Sequence, residues 1–176
     1  MLEEVLAVLA PKAGVSYVDG TFGAGGYSRA FLEAAECRVW GFDRDPNATE
    51  IGGRLAEEFT GRLMLICGRF GNIETALAEV GVAQIYGFAL DLGVSSMQID
   101  NPARGFSFRE DGPLDMRMGS DSQSAAAVVN QMAEPELADL IYRYGEERAS
   151  RRIARAIVKL REHTPIKRTS QLADVV

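Results

Sequence analysis

The sequence predicts an α/β fold in which helices join the strands of a parallel sheet, and two observations support this prediction. Four short apolar runs, of the kind found in buried strands, alternate with stretches of helical periodicity. That alternation is typical of repeated β-α units with right-handed crossovers. A polar or aromatic residue also follows each run, at Asp19, Asp43, Phe70 and Asp91. Since such sheets bind ligands beyond the carboxyl ends of their strands, these residues predict a common crevice.

The first β-α unit, residues 15–29 (VSYVDGTFGAGGYSR), carries the clearest local signal. An apolar run ends at Asp19, and a helix starts near Tyr27. Three glycines crowd the turn between them: Gly23, Gly25 and Gly26. Glycine tolerates a positive φ and lets a ligand lie against the main chain, while the helix N-terminus offers unpaired N–H groups. The unit predicts a nucleotide site, with an ordinary β-α turn as the alternative.

The spacing within this turn bears on which nucleotide would bind. A dinucleotide fingerprint requires a third glycine where Ser28 stands. An acidic residue, Asp19, precedes the glycines instead, and this order resembles the first motif of S-adenosylmethionine-dependent methyltransferases. Twenty residues after Gly23, Asp43 closes the second strand, where a carboxylate suits the ribose hydroxyls of NAD or of S-adenosylmethionine. The residues predict a nucleoside cofactor and leave both candidates open.

The other elements of the first half follow from caps and periodicity. Asp45 and Pro46 are typical of an N-cap and a first helical residue, and they predict a helix to about Phe59. Asn72 is a second predicted N-cap. The remaining predicted elements are a helix at Glu3–Ala10 and strands at Arg38–Asp43, Leu63–Ile66 and Ile85–Leu92, the last of them buried.

The second half of the chain has a different pattern. Residues 93–118 lack periodicity but interleave aromatic residues with Gly, Pro and Asp, which indicates a functional loop rather than a disordered one. Residues 125–176 are helical in pattern, with a break at Gly145 and no predicted strand. The sequence therefore predicts two domains, an α/β core over 1–104 and a helical domain over 105–176.

The distribution of charge favours nucleic-acid contact by the helical part. The formal net charge is −6, yet residues 143–168 contain nine Lys or Arg and only three Glu. Arg148, Arg152, Arg155 and Lys159 follow one another at intervals of 4, 3 and 4, which places them on one face of a helix. This row predicts contacts with RNA phosphates, with a merely solvated face as the alternative.

Other features narrow the class of protein. Cys37 and Cys67 lie far apart, so we expect reduced thiols in a cytoplasmic protein rather than a disulfide or metal site. His163 is the only histidine, so the sequence disfavours a Ser/His/Asp or Cys/His mechanism. The acidic start at Met1–Glu4 and the short apolar runs predict neither a signal peptide nor a membrane span.

Several motifs resemble those of one known family. The motifs are DGTFGAGGYS at 19–28, DRDP at 43–46, DLGVSS at 91–96, RGFSF at 104–108, DGPLDMRM at 111–118, YGEER at 144–148 and RIARAIV at 152–158. They closely resemble the bacterial RsmH (MraW) family, which uses S-adenosylmethionine to methylate N4 of a cytosine in the decoding centre of 16S ribosomal RNA. The resemblance implies a Rossmann-like methyltransferase core with an inserted helical domain. Family chains extend further at the C-terminus, so we expect an incomplete sheet here.

The resemblance also implies a set of cofactor contacts. The turn would contribute Gly25, Gly26 and Tyr27, and Tyr27 stands where many members have His. Asp43 would hold the ribose hydroxyls. With Asp19 and Gly23 from the turn itself, the expected cofactor-binding residues are Asp19, Gly23, Gly25, Gly26, Tyr27, Asp43, Phe70, Asp91 and Gln98.

A polar motif after the fourth strand is where amine methyltransferases generally hold the reacting amine. We therefore predict that Asp91 orients the cytosine amine, with Ser95 and Ser96 beside it. Phe106 and Phe108 are candidate stacking platforms for an extruded base, with a role in anchoring the loop as the alternative. Two rival functions are a non-catalytic RNA-binding fragment and, disfavoured by the missing third glycine, a nicotinamide-dependent oxidoreductase.

Overall fold

The computed structural model describes residues 1–120 and 122–176, which form two compact units, Met1–Gly93 and Val94–Val176. The first unit contains a four-stranded parallel sheet with helices in its crossovers. The second unit is helical. The predicted α/β class is therefore confirmed. In the described ranges, no helix has both the length and the apolar character needed to cross a lipid bilayer.

The two units divide at Gly93, whereas the sequence predicted a boundary after residue 104. The difference has a local cause, because Arg104 is held by segments of the second unit. Its carbonyl accepts a hydrogen bond from the Met116 amide at 3.0 Å. Its guanidinium donates to the Arg117 carbonyl at 2.8 Å. Residues 94–104 therefore fold with the helical unit.

The first unit alternates helices and strands, and its sheet has the order β3-β2-β1-β4. Its first strand pairs with both β2 and β4, so the turn after β1 lies near the middle of the sheet edge. The elements are α1 (Leu2–Leu9), β1 (Ser16–Asp19), α2 (Gly26–Ala34), β2 (Arg38–Asp43), α3 (Pro46–Glu58), β3 (Leu63–Cys67), a 3₁₀ turn (Phe70–Asn72), α4 (Ile73–Glu79) and β4 (Gly87–Ala89).

Apolar clusters lie on both faces of this sheet. Tyr17 and Val39 belong to the larger cluster, which residues of α1, α2 and α3 help to build. Val18 and Phe42 belong to the other, together with Leu77 of α4. Adjacent residues of β1 thus point to opposite faces and are buried on each, which is the pattern of a strand in a covered parallel sheet.

Local signals predicted some elements well and others poorly. The β2 strand has the predicted ends, and the Asp45 carboxylate caps α3 by accepting from the Asn47 amide at 3.1 Å. Asn72 occupies the N-cap position of α4, but its side chain makes no capping hydrogen bond there.

The fourth strand differs from its prediction. It pairs over Gly87–Ala89 alone rather than along Ile85–Leu92, and it forms the edge of this sheet. The side chains of Phe88 and Leu92 are exposed. An apolar run indicates a buried strand only where neighbours cover it, and in the described sheet β4 has β1 as its one neighbour.

The second unit is built from short helices around one apolar cluster. Residues from several helices and loops meet in that cluster, among them Leu114, Leu137, Ile157 and Ile166. The elements are α5 (Ser96–Ile99), a 3₁₀ turn (Pro102–Arg104), α6 (Ala125–Gln131), α7 (Glu134–Gly145), α8 (Ser150–Arg161) and α9 (Thr169–Val175). The stretch predicted as a loop thus contains a short helix.

The loop before α6 is ordered by contacts with the start of α9. The Leu114 amide donates to the Lys167 carbonyl at 2.8 Å, and the Thr169 amide donates to the Gly112 carbonyl at 2.9 Å. Asp111 accepts from the Arg168 guanidinium. That hydrogen bond is the main reason why the pKa of Asp111 falls to about 2. These contacts explain how a long segment without periodicity stays packed.

Candidate functional site

The glycine turn after β1 is joined directly to the end of β2. Gly23 and Gly25 have φ of +54° and +80°, which glycine adopts without the strain that a Cβ would bring. The Gly23 amide donates to Oδ2 of Asp43 at 2.8 Å, and the Asp45 amide donates to Oδ1 at 2.9 Å. Each carboxylate oxygen can accept more than one hydrogen bond, so the half-buried Asp43 can still bind hydroxyl groups.

Asp19 supports the turn from inside. Its side chain is 1% exposed and accepts from Oγ of Ser28 at 2.7 Å and from the Thr21 amide at 3.3 Å. Burial raises the pKa of Asp19, and the hydrogen bonds from Ser28 and Thr21 oppose that rise. The sequence predicted a cofactor contact for Asp19, but this geometry favours a positioning role. The sequence analysis noted Ser28 only because a dinucleotide fingerprint requires glycine there. In the structure Ser28 is buried and donates to Asp19.

Packing of Phe22 requires glycine at several positions near the turn. Its ring is 3% exposed, and a Cβ added to Gly25, Gly41 or Gly52 would lie 2.5–2.7 Å from it. Gly25 therefore makes room for Phe22 as well as providing its positive φ. At Gly26 an added Cβ would meet nothing within 4 Å, so the backbone at the start of α2 is open.

Two aromatic residues predicted at the site have different surroundings. Phe70 is 46% exposed. A Cβ added to Gly20 would lie 3.4 Å from the Cβ of Phe70, so Phe70 lies beside the end of β1. An exposed ring in that position can pack against a planar ligand. Tyr27 instead packs, partly buried, against the main apolar cluster.

Asp91 is fastened to the same turn through its backbone. Its amide donates to Oγ1 of Thr21 at 2.7 Å, and the Gly20 amide donates to the Ala89 carbonyl at 2.9 Å. The Asp91 side chain is exposed. The structure thus brings the ends of β1, β2 and β4 together. Thr21, a residue that the sequence analysis missed, is the link between two of them.

Ser95, Ser96 and Gln98 belong to the second unit, where they start α5. The Ser95 hydroxyl accepts from the Gln98 amide at 3.3 Å, and Oε1 of Gln98 accepts from the Ser95 amide at 3.0 Å. This reciprocal pair is a capping box. Gln98 is buried and Ser96 is exposed. The predicted catalytic and cofactor roles of these residues stay predictions.

Comparison with known proteins identifies the family. The model of the MraW methylase family matches residues 1–176. This chain belongs to the MraW methylase family. It is 58% identical over 176 residues to ribosomal RNA small subunit methyltransferase H of Paramagnetospirillum magneticum, and 57% identical to that of Rhodospirillum rubrum. Both alignments cover all of this chain but 55% and 54% of those proteins, so the chain spans about half the length of its curated relatives.

A solved structure also matches this MraW family chain, but distantly. A putative methyltransferase from Streptococcus mutans, in complex with SAH, aligns with a TM-score of 0.41 and 18% identity over 59% of this chain and 60% of that one. A likeness of that size bears on neither the fold nor the site.

The basic row of this MraW family member lies on the solvent face of α8 and the turn before it. Its four cations are exposed, and one of them, Arg155, forms an exposed ion pair with Glu134 at 3.5 Å. The row consists of Arg148, Arg152, Arg155 and Lys159. Arg152, Arg155 and Lys159 share one face of α8, whereas Arg148 precedes the helix. Contact of the row with RNA stays a prediction.

Exposed aromatic side chains accompany these cations in the second unit. Phe108 is 81% exposed, which argues against a core role, whereas Phe106 is half-buried. Tyr142 and Tyr144 are 62% and 78% exposed, and the sequence analysis missed both. Their positions in α7 could have indicated exposure, because both lie beside, rather than within, the helix face that includes the buried Leu137.

Proposed function

We propose that this chain binds S-adenosylmethionine and takes part in methylating N4 of a cytosine in 16S ribosomal RNA. The observation that carries the proposal is that one glycine turn is bonded both to the Asp43 carboxylate, through the Gly23 amide, and to the backbone of Asp91, through Thr21. Membership of the MraW family favours methyl transfer over hydride transfer. The names of the relatives supply the substrate class.

The cofactor would lie along the outer side of the turn. In this proposal Asp43 accepts from the ribose hydroxyls, and the open backbone at Gly26 faces the ligand. Phe70 packs on the adenine, since its ring is exposed beside the end of β1. Asp19 holds the turn through Ser28 without touching the ligand. A half-buried carboxylate with remaining lone pairs and an unobstructed glycine backbone fit a nucleoside.

Asp91 would handle the nitrogen that reacts. The bound cofactor supplies an electrophilic methyl group. The exposed Asp91 carboxylate can accept a hydrogen bond from the exocyclic amine and hold that nitrogen in line. The amine becomes more positive as it reacts, so the carboxylate stabilises the transition state more than the ground state. Asp91 is also an available acceptor for the proton that the nitrogen loses. Catalytic roles for Ser95 and Ser96, and a cofactor contact for Gln98, are also proposed.

The helical unit would hold the RNA. The exposed cations of the α8 row suit phosphate contacts, and Phe108 offers a ring on which an unstacked base can rest. A target base inside folded RNA must leave its stack before it can react. This division of labour makes the small ribosomal subunit the proposed partner, and the cytoplasm the proposed location.

Calorimetric titration tests the cofactor part of the proposal. S-adenosylmethionine should bind to the chain, and NAD should not. Incubation with small-subunit RNA and methyl-labelled cofactor, followed by nucleoside analysis, tests the reaction. Binding of both cofactor and RNA without label in N4-methylcytidine would show that this chain recognises its ligands but does not catalyse the reaction. Preferential binding of NAD would refute the proposal.

A further inference from the structure

Two exposed tyrosines lie where the second unit turns from α7 into α8. We call residues 142–152, with the sequence YRYGEERASRR, the α7–α8 corner. Tyr142 and Tyr144 expose 62% and 78% of their surface, whereas tyrosine is typically intermediate in burial. Neither ring is needed by the apolar cluster that holds α7 and α8 together, since neither belongs to it.

The surroundings of these rings are basic. The corner contains Arg143, Arg148, Arg151 and Arg152, all exposed, against Glu146 and Glu147. Arg148 is four positions after Tyr144, a span of at most about 14 Å, and it begins the exposed row along α8. The corner therefore places aromatic rings at the end of a line of positive charge.

We propose that the α7–α8 corner binds an unpaired segment of the RNA substrate, with Tyr142 and Tyr144 each stacking on a base. This inference rests on the proposed function and adds the form of RNA that the helical unit recognises. Proteins that bind single-stranded RNA combine rings that stack on bases with cations that follow the backbone. A duplex keeps its bases stacked on one another, so it could use the cations of this surface but not the rings.

The two rings leave α7 in different directions. Two steps along a helix rotate the side chain by about 200°, which leaves the two directions about 160° apart, so Tyr142 and Tyr144 stand on either side of the stripe that packs inward. They cannot share one base. Each ring is instead expected to contribute independently, with Tyr144 nearer to Arg148 and the α8 row.

Fluorescence anisotropy with a labelled, unstructured RNA of about 12 nucleotides tests the inference, with a duplex of equal length beside it. Tyr144→Ala and Tyr142→Ala should each weaken binding of the single strand at least fivefold, and the double variant about 25-fold. Tyr144→Phe should bind like the parent, because the ring remains. The slope of log affinity against log salt should not change, because no phosphate contact is lost.

Phe88→Ala is the matched control, since Phe88 is an exposed aromatic residue of the first unit. Equal single-strand affinity for the parent and both Ala variants would overturn the inference while leaving cofactor binding and methylation untouched. Equal losses on the duplex and the single strand would also overturn it, since stacking on unpaired bases would then not be the cause. A parent that binds neither RNA would refute the RNA part of the proposed function and the inference together, whatever its affinity for S-adenosylmethionine.

Discussion

The glycine turn after β1 and the basic row of α8 differ in how their side chains are held. In the turn, Asp19 is buried and bonded to Ser28, and Asp43 is bonded to the Gly23 amide. Along the row, exposed cations face solvent, and among the described residues one ion pair, between Arg155 and Glu134, involves the row. A site that must hold reacting groups in place needs such preorganisation, whereas attraction to phosphates acts over distance and tolerates movement. Single substitutions should therefore have large effects at the turn and small ones along the row.

The largest expected effect is at Asp91, and it separates catalysis from binding. In a chain with the length of the curated relatives, Asp91→Ala should slow single-turnover methylation by about 10²–10³, because it removes a charge that acts in the transition state. Affinity for S-adenosylmethionine should fall much less. Asp91→Asn keeps a hydrogen-bond acceptor without the charge, so its methylation rate should lie between those of the parent and Asp91→Ala. Methylation at the parental rate would exclude the catalytic role, and equal losses of rate and affinity would make Asp91 a cofactor ligand only.

The next prediction concerns the link between the turn and β2. Asp43→Ala removes a charged acceptor from the Gly23 amide and from the proposed ribose hydroxyls. We expect a loss of about 1.5–3 kcal/mol in the binding free energy of S-adenosylmethionine, measured by calorimetry. Glu50→Ala, an exposed acidic residue on α3, is the control and should bind as the parent does. If Asp43→Ala binds S-adenosylmethionine as tightly as the parent does, Asp43 is not part of the cofactor site.

Adjacent glycines of α3 provide a test of the packing beneath the turn. In Gly52→Ala the new Cβ would lie 2.5 Å from Cε1 of Phe22 and 2.7 Å from Cδ1 of Leu65, both in the apolar cluster. Overpacking of this kind should lower the free energy of unfolding by about 1–3 kcal/mol. In Gly53→Ala the new Cβ would meet nothing within 4 Å. This substitution should raise the free energy of unfolding by up to about 1 kcal/mol, since alanine favours a helix.

Urea unfolding measures both variants, and the opposite signs are the informative result. If both substitutions stabilise the protein alike, Phe22 does not fill the space beside Gly52 as the structure shows. If Gly52→Ala also weakens S-adenosylmethionine binding, then Phe22 transmits the displacement to Gly25 and the turn.

The smallest expected effect is on the basic row. Replacing Arg148 and Arg152 with Ala should reduce the salt slope of single-stranded RNA binding by about 1.4, which corresponds to two lost phosphate contacts. Stability should change little, because both side chains are exposed. Arg38→Ala with Arg54→Ala makes the same change in charge on the first unit and should leave the slope unaltered. Parallel slopes for all three proteins would mean that the row is only solvated.

The sequence by itself determined those features whose causes are local or lie in long motifs. The alternation of elements predicted the α/β class, the Asp45-Pro46 pair predicted the start of α3, and the motif matches predicted the family. Caps, apolar periodicity and contiguous motifs depend on residues that are close in the chain, so they can be recognised without coordinates.

The tertiary structure decided which groups are used inside the fold and which remain outside. Asp19 turned out to bond to Ser28, Gly25 to make room for Phe22, and Thr21 to hold the backbone of Asp91. The last of these joins residues that are 70 positions apart, and no local pattern encodes such a pairing. The exposure of a side chain also depends on contacts between distant segments, because an aromatic residue such as Tyr144 is buried or exposed according to which segments pack around it.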